Sequence, residues 1–388
     1  MSGNGNSYCI ITIVFQFSVQ LRSGLDILIV DTDIVMDLNT TYVQDPFDTT
    51  PIDHNNSRSS ENQLHIFQPW LEAVFISLYV VIFVMGVGGN LVVLYVILAN
   101  KHMRTTVNIY LVNLAASDIL LCLVALPLTP TSLFAGRWVF GEGEALCKLL
   151  HSSPTACVYM STFTLTAIAV NRYRAVFYPF SAHTNTVART ILIIVCIDLS
   201  SILITLPEGV ISEIVRDDHG NLYCTEKLPD GLRMVYGSFL TITQFVIPFV
   251  TIIICYTRIM FKLQQRDIEM SESMTTNQMV DEAARTTKMN KMLISIAVIF
   301  ALCWLPINLF NLALDILFLT GEVPSTSFTF LIVHIIAMSS ACYNPFLYGW
   351  LNTAFRAEFL KLCPVCVPAQ KEEIASAESE RIKLMDVE

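Results

Sequence analysis

Seven long apolar stretches decide what this chain can fold into. They occupy residues 71–98, 106–131, 147–176, 188–209, 235–262, 289–318 and 327–350. Wound as helices rising about 1.5 Å per residue, all of them are long enough to cross a hydrocarbon layer about 30 Å thick. A water-soluble fold would need more charge than is present: 54% of the residues are hydrophobic, 14% are charged, and the mean hydropathy is +0.57. The pattern predicts an all-α membrane protein, a seven-transmembrane helix bundle.

Basic residues beside the spans set the orientation, because Lys and Arg favour the cytoplasmic side. Lys101, His102 and Arg104 follow the first stretch, and Arg172, Arg174 and Arg189 bracket the gap between the third and fourth. Lys262, Arg266, Arg285, Lys288 and Lys291 flank the gap between the fifth and sixth, and Arg356 and Lys361 follow the seventh. These ends alternate as one cytoplasmic face, which leaves the N-terminus extracellular and the chain multi-pass in the plasma membrane. The opposite face is acidic. The leader carries Asp26, Asp31, Asp33, Asp37, Asp45, Asp48, Asp53 and Glu61, and Glu213, Glu226 and Asp230 lie around Asp217 and Asp218. A solvated surface accounts for such charge; an electrostatic funnel for a cationic ligand is the sharper alternative.

Residues 1–69 read as a disordered extracellular leader, 70–362 as the membrane domain and 363–388 as an acidic cytoplasmic tail. Asn39-Thr-Thr and Asn55-Asn-Ser are N-glycosylation acceptors. The apolar run at 8–19 is short and lacks the basic flank of a secretion signal. Most of the eleven cysteines lie within apolar stretches, where they act as small hydrophobes. Only Cys9, Cys147 and Cys224 fall on the outer side. Cys147 with Cys224 is the natural disulfide there, and Cys9 has no assigned role. Beyond a short amphipathic eighth helix around Phe355 and Arg356, Cys363 and Cys366 form a CxxC. With no second CxxC or histidine pair nearby, palmitoylation is favoured over zinc.

The third stretch is the axis of the bundle. Cys147 to Arg172 covers 25 residues, about 37 Å of helix, so an outer anchor and an inner charge stand at opposite faces. Asp118 and Asp198 fall well inside other spans. Asp118 lies in the middle of the second, where a charge is costly and marks a functional site by default. Asp198, in the fourth, needs a partner, a water-filled niche or a proton. Pro127 and Pro130 are expected to break the second helix near its outer end, as tolerated where backbone lines a cavity. No nucleophile–base or metal-ligand constellation suggests an enzyme. Neither the internal repeat nor the chain of intramembrane charges of a transporter or channel is visible.

Gly89-Asn90, the NLAASD ending at Asp118, Asn171-Arg172-Tyr173, the CWLP of Cys303–Pro306 and the NPFLY of Asn344–Tyr348 occur in order, one on each expected helix. Together they resemble the rhodopsin-like G-protein-coupled receptors over roughly residues 70–362. LPLTP, GRWVFGE before Cys147, CWLPINLFNLALD and HIIAMSSACYNPFLYGWLN narrow the resemblance to the neuropeptide Y/F-type peptide receptors of invertebrate kind.

The resemblance implies a ligand, a transducer and residues for each. The ligand is a peptide with an amidated C-terminal Arg-aromatic pair, its arginine read by Asp315; a solvated loop-edge acid is the competing reading. Asn311, Asn308, Gln244, Thr129 and His334 match polar pocket positions, with hydrogen bonding between helices as the alternative for each. Pro154 stands where amine receptors carry Asp and these peptide receptors often carry Gln, which argues against a monoamine. Asp118, Ser161 and Asn344 match a sodium site, the only metal or cofactor expected, with a structural hydrogen-bond cluster as its rival. Trp304, Phe300 and Pro248 match a packing switch. Arg172, Tyr173, Tyr256 and Tyr348 match the machinery that meets a heterotrimeric G protein of inhibitory type. Asn171 and Thr286 replace the two acids that normally restrain Arg172, so basal activity is expected. Membrane lipid, arrestin and kinases complete the implied partners, and nucleic acid is not among them.

Overall fold

The computed structural model describes residues 68–178, 186–272, 277–320 and 327–362. Asn39, Asn55, Cys9, Cys363, Cys366, the run at 8–19 and the acidic tail lie outside the described residues. The packing described below is that of the compact unit that ends at Arg356.

Each apolar stretch is a helix. These are α1 (Pro69–Ala99), α2 (Thr106–Ala135), α3 (Glu144–Phe177) and α4 (Val187–Ile211), then α5, α6 (Asn277–Thr320) and α7 (Ser327–Leu351). α5 comprises Asp230–Thr241, a π-turn Ile242–Val246 and Ile247–Glu272. A short helix α8 (Thr353–Leu362) follows α7. The seven long helices have the length and apolarity to cross a membrane. Hydrocarbon offers no hydrogen bonds, so the backbone of a spanning segment must satisfy itself within the helix.

Local chemistry fixes the ends. Thr105 and Thr186 cap α2 and α4, their side chains accepting from the amides of Asn108 and Arg189. Gly136 ends α2 in the left-handed region, at φ 60°. Between these limits α2 does not break: it runs through both Pro127 and Pro130. The Thr131 hydroxyl donates to the Pro127 carbonyl at 2.5 Å, and continuing turns on either side hold the helix together, correcting the expected interruption.

α3 packs against α2, α4 and α5 and also meets α6, so it is the axis in fact. α4 is peripheral. Its Leu192, Leu199, Leu203 and Val210 are exposed, as expected of a face whose solvent is lipid rather than water. Close approach elsewhere uses small residues: a Cβ on Gly89 of α1 would fall 2.8 Å from Pro345 Cγ on α7.

Between α4 and α5 the chain forms a hairpin that the acidic sequence did not reveal. β1 (Ser212–Arg216) pairs antiparallel with β2 (Leu222–Glu226), with Ile214 opposite Cys224. Its turn is built on Asp217, which accepts from the amides of His219 at 2.9 Å and Asn221 at 2.7 Å, while Gly220 takes φ +83°. Hydrogen bonds led by the Asn221 side chain hold the Asp217 carboxyl below the usual carboxylate range.

Candidate functional site

The hairpin is tied to the bundle at two points. Cys224 forms a disulfide with Cys147 at the start of α3. The Trp138 amide donates to the Leu222 carbonyl at 2.6 Å, and the buried Trp138 indole donates to the Gly141 carbonyl at 2.9 Å. The GRWVFGE loop therefore clamps the hairpin over one end of the helices. His151 stands beside the disulfide, 3.3 Å from Cys224 Sγ. Both sulfurs are spent on each other, so this trio is not a metal centre.

Beneath the hairpin, Asp315 projects from α6 against α5. Its carboxylate lies 3.5 Å from the Arg233 guanidinium, and its side chain is only 11% exposed. Gly237, one turn beyond Arg233, makes the room: a Cβ there would overlap Asp315 Oδ2. Neither Arg233 nor Gly237 was singled out in the sequence, because nothing in it tells which face of α5 meets α6.

The other expected pocket residues occupy several stations. Gln244, buried on the π-turn, donates across to the Thr155 carbonyl of α3 at 3.1 Å. The turn itself follows from Pro248: with no N–H to offer the Gln244 carbonyl, the preceding turn widens, and the Ile247 amide donates to Ile242. His334 is buried on α7 and shares a 2.8 Å hydrogen bond with the Tyr79 hydroxyl of α1. Asn308 donates to the Trp304 carbonyl of its own helix at 2.8 Å. Asn311 is exposed and Thr129 is half-buried.

The middle of the bundle holds a buried polar knot. Asp118, 1% exposed, accepts from Asn344 Nδ2 at 2.7 Å. Ser161 shares a 2.8 Å hydrogen bond with Ser117, and Asn90 donates to the Ala341 carbonyl at 2.8 Å. Directly toward the hairpin, Trp304 donates to Ser340 Oγ at 3.1 Å. Its ring lies 5.9 Å from Phe300, which stacks on Phe249 at 6.3 Å, one residue past the buried Pro248. Asp198 has a partner too: Asn113 donates to it at 3.1 Å and to Thr164 at 3.1 Å.

At the opposite end Arg172 sits near Tyr256, and its Nε has no hydrogen-bond partner. Asn171 and Thr286 are half-buried, and among the described residues no carboxylate pairs with Arg172. The Tyr173 ring stacks on Phe177 at 4.5 Å. Tyr348 is buried with its hydroxyl unpartnered, its ring 6.0 Å from Phe355. An apolar crevice of about 510 Å³ separates the neighbouring parts of α5 and α6, lined by Ile253, Tyr256, Met260, Phe261, Val298 and Leu302. The α5–α6 seam is thus held by an ion pair at one end and left loosely packed at the other.

A membrane bundle with polar side chains beneath a tethered hairpin at one end, and at the other an arginine whose buried Nε has no partner, is built as a receptor. The family model for the 7 transmembrane receptor (rhodopsin family) matches residues 89–348. Among curated proteins, the neuropeptide F receptor of Drosophila melanogaster is 33% identical over 366 residues, 89% of this chain and 74% of that one. The neuropeptide Y receptor type 2 of Mus musculus is 34% identical over 298 residues, 75% of this chain and 76% of its own. Neuropeptide receptor 3 of Caenorhabditis elegans is 34% identical over 305 residues, 75% of this chain and 79% of its own. The chain belongs to the rhodopsin family of seven-transmembrane receptors, in the group that holds the neuropeptide F and neuropeptide Y receptors. Such proteins are receptors, not enzymes.

Proposed function

We propose that this protein is a receptor for a C-terminally amidated peptide of the neuropeptide Y/F type, and that it couples to an inhibitory heterotrimeric G protein. The observation that carries the reading is Asp315: a carboxylate mostly shielded from solvent, held beside a guanidinium at the hairpin end of α6. That is the environment in which a carboxylate makes charge-assisted, bidentate contacts to arginine. The ligand's arginine takes the place of Arg233. Gln244, His334, Asn308, Asn311 and Thr129 then serve the terminal amide and adjoining backbone, Gln244 and His334 after exchanging their interhelical bonds.

The Phe249–Phe300–Trp304 stack transmits the change. Peptide bound across α5 and α6 favours a second packing of these rings, and α6 swings from Arg172 into the space beside the crevice. Only a peptide with higher affinity for that second state shifts the equilibrium. Asp118, Ser161, Ser117 and Asn344 offer the oxygen donors that suit a sodium ion, which when bound would balance the Asp118 charge. The hairpin end and N-terminus face outward, with glycans on Asn39 and Asn55. Palmitate on Cys363 and Cys366 anchors the inner end to lipid, and kinases and arrestin act on the tail.

The test is a panel of synthetic peptides in amide and free-acid forms, read by the fall in cyclic AMP in cells expressing the receptor. Amidated peptides ending in Arg-Tyr or Arg-Phe should act at far lower concentration than their acids. Activation only by peptides lacking a basic residue near the C-terminus would reject the reading.

A further inference from the structure

A second acid beneath the hairpin has no part in the site described so far. Glu208, the residue after Pro207 on α4, is 8% exposed, and its Oε2 has no hydrogen-bond partner. Its other contact is the Thr155 hydroxyl of α3, next to Pro154, where a polar side chain is missing. Around it stand Tyr236 of α5, whose hydroxyl donates to the Ile204 carbonyl at 3.2 Å, and Gln244, which donates to the Thr155 carbonyl at 3.1 Å. Among the described residues no Lys, Arg or His pairs with Glu208.

Glu226, half-buried on β2, is close enough to act electrostatically on both Glu208 and Asp315. Three carboxylates thus lie at the hairpin end, and among the described residues the one ion pair found at them is Arg233 with Asp315. A buried carboxylate oxygen left without a donor is costly, and a bound cation removes that cost.

We propose that Glu208 is a second anionic subsite for the ligand, which takes a further positively charged group of the peptide whose arginine engages Asp315. This inference rests on the proposed peptide-receptor function. It explains how a pocket with proline at position 154 still reads polarity at that depth: the contact comes from α4 instead of α3.

The test is a charge-neutralisation cycle on the full-length receptor. The probes are synthetic amidated peptides ending in Arg-Tyr or Arg-Phe, with one more basic residue placed at successive upstream positions. Each upstream Arg or Lys is compared with its neutral isostere, citrulline or norleucine, on wild type and on Glu208→Gln. At one position, neutralising the peptide should cost about tenfold or more on wild type and add little on Glu208→Gln. The Asp315 end reports separately: neutralising the penultimate arginine should cost the same in both receptors. Should Glu208→Gln reach the surface poorly, competition binding on membranes, normalised to receptor number, gives the same cycle. Additive losses at every position would overturn the subsite while leaving the peptide-receptor reading intact. Failure of every amidated peptide on wild type would overturn both.

Discussion

Arg233 on α5 and Asp315 on α6 face each other at 3.5 Å, with Gly237 giving the carboxylate its place. The pair joins the two helices at the hairpin end, while the apolar crevice keeps them apart toward the Arg172 end. A cationic ligand that claims Asp315 therefore acts on the α5–α6 seam itself.

Arg233 competes with such a ligand. The guanidinium is 40% exposed, so the pair is partly screened, worth roughly 0.2–1 kcal/mol. Replacing Arg233 with Gln should lower the half-maximal concentration of an arginine-bearing peptide by about two- to fivefold. Replacing Asp315 with Asn should raise it by about tenfold to a hundredfold, the worth of a charged hydrogen bond. Concentration–response curves at matched surface expression check both signs.

Gly237 offers a steric counterpart. Alanine there would collide with Asp315 Oδ2 and push the carboxylate from its seat. Gly237→Ala should weaken an arginine-bearing peptide while leaving helix formation intact, since alanine favours helix. Full potency at normal expression would mean the carboxylate has somewhere else to go.

The unpartnered Arg172 Nε bears on basal signalling. Restoring the missing acid with Asn171→Asp should hold the guanidinium and reduce ligand-independent signalling. The measurement is second-messenger level in ligand-free cells, with and without receptor, at confirmed surface expression. Equal levels for wild type and untransfected cells would refute basal activity.

Asp198 answers to Asn113. Asp198→Asn keeps an acceptor for that amide and should leave expression and signalling nearly unchanged. Asp198→Leu removes the acceptor and should cost about 1 kcal/mol of stability, read as a lower thermal midpoint of solubilised receptor.

The spans and the sites were not equally legible. Asp118 beside Asn344 and the Trp304–Phe300 contact were legible because helical periodicity carries a residue's depth and face, and the Cys147–Cys224 bond because both cysteines fall on the outer side. Glu208 carried the same signal as Asp198, an acid inside an apolar stretch, yet it sits beside Pro207 near a helix end, where an acid reads as solvated. The hairpin was hidden for a related reason: SEIVR and LYCTE are short and the segment is rich in charge, so their pairing was masked by the turn between them.

What the sequence determined by itself was the number, length and class of the elements. A hydrocarbon layer demands about twenty apolar residues per crossing and a self-satisfied backbone, and both demands are local. What tertiary structure decided was which polar groups meet. Arg233 reaches Asp315, Gln244 reaches Thr155 through a widened turn, and Glu208 is left with a bare oxygen because helices far apart in the chain fix their mutual rotation only by packing.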